Sequence, residues 1–271
     1  MTTVYVSWSS GSDAYTYAQA QSSATPWKTV GKCNTSATTG DTIIVMAGTH
    51  TWANVTFTKS FTIQGQTTDP SLYIFDAAGG NVLWENTTAG NTLSLLYLTF
   101  QNNIYNPTPF YVTGAGSTYN ITNCVIKSFT STGVTTGLFE YNGTTATMNV
   151  KNTVVYGLTA GATNNYILLA INANGIATLT NCTLYLPAMT AIVSNTCSVT
   201  LKNTIIYCAT STNWKAAGTV SGTVSYSDLY NVATPPPGTG MITSDPLFVD
   251  AANGNFNLRP GSPAIGTGTL V

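Results

Sequence analysis

A short phrase recurs four times in the middle of the chain, over Tyr119 to Ile126, Met148 to Tyr156, Ala177 to Tyr185 and Val199 to Tyr207. Each copy is centred on an asparagine, and these residues, Asn123, Asn152, Asn181 and Asn203, are spaced by 29, 29 and 22 residues. Counting from each Asn, the positions four before, two before and two after are nearly always apolar, and the residue just before is Thr, Lys, Thr and Lys in turn. Apolar residues alternating with period two specify strand rather than helix. Recurrence every 20 to 30 residues specifies a repeat architecture with one supersecondary unit per repeat. A single coil of this kind cannot bury its own apolar face, so neighbouring coils must stack.

Stacked in register, Ile121, Val150, Leu179 and Leu201 form one apolar column, and Val125, Val154, Thr183 and Ile205 form a second. The four Asn residues then form a structural ladder. Period-two parity carried through the phrase points them inward, where an unbonded amide costs roughly 1–3 kcal/mol, so stacked amides are expected to bond to one another and to turn backbone. An Asn at the bend between two short strands suits that place, because Asn tolerates turn dihedrals. The same parity makes Cys124 and Cys182 outward neighbours of the ladder. They occupy one repeat position two coils apart, about 10 Å, which is too far for a disulfide. Cys197 and Cys208 flank one strand pair, where a disulfide stays open. Five cysteines cannot all pair internally, and no Cys-x-x-Cys or Cys/His cluster suggests zinc.

The rest of the chain divides around these repeats. Residues 1–40 read as an N-terminal cap, with a strand at Val4–Trp8 and a short helix starting near Pro26. Residues 41–230 read as the coils, with Tyr97 and Ser227 standing where Asn would be in the weaker copies, and with 101–116 and 157–174 as projecting loops. The Pro235-Pro236-Pro237-Gly238 segment opens a crossing segment and closing cap over 231–271.

Here a resemblance becomes specific. Tyr5-Val6-Ser7, Gly11-Ser12-Asp13, Pro26-Trp27-Lys28-Thr29-Val30 and Gly40-Asp41-Thr42-Ile43-Ile44-Val45 resemble the N-terminal cap and first coil of proteins in the pectate-lyase-like superfamily. Asp245-Pro246-Leu247-Phe248-Val249-Asp250 and Asn255 to Ala264 resemble the closing segment of choice-of-anchor surface proteins, and phage fibre proteins use similar coils. The resemblance implies an all-β fold, a right-handed single-stranded parallel β-helix with a cap at each end.

The resemblance also implies a search for chemistry. Lyases of the superfamily need a base and acids that hold calcium, and its hydrolases need two or three Asp on adjacent coils. Between Glu85 and Asp228 the sequence contains one acid, Glu140, so carboxylate pairs are not expected on the repeat body. The single histidine, His50, has no partner close in sequence, and Lys151 and Lys202 share one column as solvated charge. No catalytic residue, cofactor or metal ligand is assigned.

Charged residues make up 6% of the chain and the net charge is −1, which argues against the basic stripe that nucleic-acid binding requires. No run of apolar residues is long enough to span a membrane. Met1-Thr2-Thr3-Val4-Tyr5 has no charged start followed by an apolar run, so no signal peptide is read. Six Asn-x-Ser/Thr sequons occur, at Asn34, Asn54, Asn86, Asn120, Asn142 and Asn181. Composition alone produces about that many, so glycosylation stays open. These observations lead to the expectation of a non-enzymatic structural subunit of an extracellular fibre, cell-surface appendage or virion. Its partners would be copies of itself, as a homo-oligomer or filament, and surface glycan. The alternative is a carbohydrate-active protein, either a glycan-binding module or a tailspike-like depolymerase.

Overall fold

A computed structural model describes residues 1–105, 108–132, 137–160, 167–171, 175–186, 191–194, 196–215 and 219–270. The chain is nearly all β and winds as a parallel β-solenoid of about six turns. Each coil presents strands to three long faces. On the first face one buried column runs Val4, Ile43, Ile63, Leu95, Ile121, Val150, Leu179, Leu201, Val224, each Cα paired with the next coil's. On the second face Phe75, Phe100, Ile126, Val155, Leu184, Ile206 and Leu229 make the inward column. On the third, Trp84, Phe110, Phe139, Leu169 and Val193 do the same. The stretch 101–116, expected as a projecting loop, holds the strands Ile104–Tyr105 and Phe110–Val112 instead.

Aromatic side chains fill the early coils. Phe75 stacks on Phe100 at 5.5 Å, Trp84 meets both edge-on, and Trp52 packs against Trp84, Phe100, Phe110 and Phe129. Full burial of one such ring removes 150–250 Å² from water, and the pairs add about 0.5–1.5 kcal/mol beyond area.

The ladder residues sit at the corner between the first and second faces. Asn123, Asn152, Asn181 and Asn203 have φ of 54°, 49°, 54° and 50°, the left-handed region that Asn visits at low cost. From Asn152 onward each side-chain Nδ2 donates to the Asn Oδ1 of the coil before, at 3.0 Å for Asn152 to Asn123 and 3.1 Å for Asn181 to Asn152 and Asn203 to Asn181. The amides point outward, not inward: Asn152 and Asn181 are exposed. The left-handed residue absorbs one step of alternation, so the phase of the chain slips by one. The residues after the corner therefore exchange roles. Cys124, Thr153, Cys182 and Thr204 are buried, while Val125, Val154, Thr183 and Ile205 align as expected but are half-exposed outside. Each inward thiol or hydroxyl donates to the carbonyl two residues back, at 3.4 Å for Cys124 to Thr122 and 3.0 Å for Thr153 to Lys151. The same slip moves the weak copy by one position: Tyr226, with φ 47°, takes the corner, and Ser227 falls in the inward Thr/Cys column.

At the N-terminal cap, strand Thr3–Val6 pairs with Thr42–Val45. The helix runs Val30–Ser36, with the Thr29 hydroxyl accepting from Lys32 N at its start. It begins four residues after Pro26 because Trp27 is held in extended pairing by Tyr5 and Ser7, and its indole N–H donates to Tyr15 O at 2.7 Å. At the other end, a hairpin of Phe248–Asp250 and Asn255–Leu258 lies across the second face. Its Phe248 and Phe256 cover the outward tyrosines Tyr156, Tyr185 and Tyr207. All five cysteines are free and buried, so Cys197 and Cys208 form no bridge.

Candidate functional site

The residues singled out in the sequence do not converge. His50 is buried under the N-terminal cap. Lys151 and Lys202 each pair with Thr180 on the first face, and the Lys202 ammonium donates to Leu270 O. Asp41 holds the first turn, accepting from Thr2 N, Thr38 N and the Tyr17 hydroxyl. Asp245 and Asp250 order the closing cap through Leu247 N and the Asn253 amide.

A carboxylate pair does exist on the repeat body, contrary to expectation. On the outward side of the third face Glu85 pairs with Tyr111, and Tyr111 with Glu140. The two glutamates therefore lie two coils apart, about 9–10 Å at the backbone, with a tyrosine between them. All three are half-buried, because their inward neighbours Trp84, Phe110, Phe139, Val112 and Tyr141 are in the core. The strand pattern thus fixes the column rigidly while leaving its tips to solvent.

Hydrogen bonds hold each member. The buried Thr108 hydroxyl donates to Glu140 Oε2 at 2.6 Å, and the Thr113 hydroxyl to Glu85 Oε1 at 3.2 Å. The Asn142 amide donates to Glu140 Oε1 at 3.4 Å and to the Tyr111 hydroxyl. Burial first, and then the charges of Glu140 and Glu85, push the Tyr111 phenol above its ordinary range, against the bond from Asn142. Tyr111 is thus a protonated phenol near neutral pH, able to donate between two carboxylates. No cation stands in the column Thr56, Glu85, Tyr111, Glu140. Among the described residues no group of three or more His, Cys, Asp or Glu could hold a metal ion.

The pair escaped sequence reading because Glu85 and Glu140 are far apart and neither sits in the recurring phrase. A signal was present nonetheless: Glu85, Tyr111 and Glu140 each lie twelve residues before a corner residue, Tyr97, Asn123 and Asn152.

No protein-family profile and no curated protein matches the sequence. Among solved structures the chain is similar to a rhamnogalacturonan lyase, with TM-score 0.56 and 12% identity over 85% of this chain and 68% of that one. A crystal structure of pectate lyase Pel9A is also matched, with TM-score 0.33 and 12% identity over 100% of this chain and 93% of that one. The first likeness is one of fold, that of a pectate-lyase-like β-helix. The expectation that the chain is no enzyme is corrected on this finding: a solved structure that shares the fold is a lyase, which points toward enzymes. The likeness sits with the carbohydrate-active reading rather than with a structural subunit.

Proposed function

We propose that this protein cleaves a polysaccharide on its third face, with Glu85 and Glu140 as the acid/base pair and Tyr111 as the donor that holds the sugar between them. The observation that carries the reading is the shared outward column of the two glutamates. General acid–base cleavage of a glycosidic bond needs two carboxyl groups flanking it. Separations of about 6.5–9.5 Å leave room for a water between base and sugar, and about 5–5.5 Å does not. A two-coil spacing supports the water-mediated, inverting course. A flat row of coils also suits a linear chain laid along the solenoid.

The charge of the site selects the glycan. The ionised carboxylate of the pair, without a neighbouring cation in the column, repels a uronic acid, so the reading is of a neutral polysaccharide, met outside the cell or at its surface. The test is incubation with a panel of neutral and acidic polysaccharides, assayed for new reducing ends and for unsaturated products. Reducing ends without unsaturation from a neutral glycan, lost in Glu85→Gln and Glu140→Gln, are the expected result. Unsaturated products, or cleavage that survives both substitutions, would overturn it.

A further inference from the structure

Charge is scarce on this chain, at 6% of residues, and two faces of the solenoid body carry it in opposite sign. On the first face, the strands Thr92–Leu96, Thr118–Thr122, Thr147–Lys151, Ile176–Thr180 and Cys197–Lys202 hold two charged side chains, Lys151 and Lys202. Both point outward, because Val150 and Leu201 beside them are in the core. Each is aligned with Thr180, so they stand two coils apart in one column. On the third face, the strands from Val55–Phe57 to Ala191–Ser194 hold no charged side chain but Glu85 and Glu140. These also stand two coils apart in one column, with Tyr111 between them. Strands stack at about 4.8 Å, so each pair is spaced by about 9–10 Å.

Two lysines and two glutamates at one spacing, on different faces, are complementary between copies rather than within one. Glu140 and Lys151 lie on successive strands of one coil, with Lys202 two coils later and Glu85 two coils earlier. A neighbour with a parallel axis, displaced by two coils, therefore sets its Lys151 opposite Glu85 and its Lys202 opposite Glu140. Lys151 is exposed. The Lys202 ammonium donates to Leu270 O at 3.0 Å and keeps two further hydrogens. The rows around the lysines are hydroxyls and amides, Thr122, Asn149, Thr178 and Thr200 among them, which lose water at less cost than charges do. An ammonium opposite a carboxyl group favours its ionised form, so docking supplies the cation that the glutamate column lacks.

We propose that a second copy of this chain docks with its first face on the third face, Lys151 on Glu85 and Lys202 on Glu140. The two surfaces differ, so the contact is heterologous. The inference rests on the layout of charge and not on the cleavage reading, and its test needs no glycan. Sedimentation velocity of the unmodified protein is expected to show reversible self-association at about 0.01 M salt. That association weakens about tenfold at about 0.15 M, where the screening length has fallen from about 30 to about 8 Å. Lys151→Glu is expected to weaken it about tenfold as well, whereas Lys127→Glu, an equal change of net charge on the second face, leaves it unchanged. The double variants Lys151→Glu/Lys202→Glu and Glu85→Lys/Glu140→Lys each stay monomeric alone and associate when mixed. A protein that is monomeric at low salt at every concentration, or one that Lys127→Glu affects as much as Lys151→Glu, would sink the proposal.

Discussion

Asp228 is buried beside Asp245, and neither oxygen of its carboxyl group has a hydrogen-bond partner among the described residues. It occupies the outward column that begins after the corner, paired with Ile205, but it lies in a small cavity shared with Ile242, Ala264 and Thr267. Burial, and then the charge of Asp245, push its pKa from 3.8 up to about 7.

The first prediction follows from that pairing. A carboxyl group whose pKa is higher in the fold holds its proton more tightly there, so its stabilising contribution is complete below about pH 4 and is lost as pH rises through about 7. The melting temperature should therefore fall over this interval. Asp228→Asn should flatten that part of the curve and melt at least about 2–4 °C higher than the unmodified protein at pH 8, the worth of about 1 kcal/mol in a chain of this size. A variant that melts lower at pH 8 would contradict this account of the site.

Glu85→Gln and Glu140→Gln should each lower the rate of glycan cleavage by about 10²–10⁴-fold, the usual worth of a positioned acid or base, with melting temperature unchanged. Tyr111→Phe should act mainly on substrate affinity, since it removes a donor and leaves both carboxylates. Initial rates across a substrate range separate the two effects.

Asn181 donates to Asn152 and accepts from Asn203, and its backbone is left-handed. Asn181→Ala loses both bonds and strains the corner, at a cost of about 2 kcal/mol. Asn181→Gly should recover the backbone part, roughly half, because glycine adopts that φ freely. Denaturant unfolding of the two variants side by side measures the difference.

Burial pushes the Cys124 thiol up to about 12, and those of Cys182, Cys197 and Cys208 up to about 11. Because the thiolate is the reactive form, native protein should take up no iodoacetamide at pH 8, and denatured protein should take up five equivalents. Intact-mass spectrometry counts them, and fewer than five in the denatured, unreduced sample would reveal a disulfide.

The recurring phrase made the first face legible, since Ile121, Val150, Leu179 and Leu201 report their own pairing. Facing was harder to read. Period counting places Asn123 and Cys124 on the wrong sides, because a left-handed residue costs one step of alternation that the count does not register. The glutamate pair was hidden for a related reason. The third face has no phrase of its own, so Glu85 and Glu140 meet only once the length of each coil is known. The pairing of Asp228 with a closing segment that begins after the coils was equally out of reach of local pattern.

The corner that spoils simple alternation also has a use. Successive ladder residues are spaced by 29, 29 and 22 residues, yet their amides stay bonded at 3.0–3.1 Å. Each turn of the chain is thus resynchronised at that point, as a clock is reset by a tick. A length error accumulated on one side is cancelled before the next lap begins. Segments on the far sides are free to lengthen or shorten without disturbing the laps above and below, so new surface chemistry can be written there while the frame is kept.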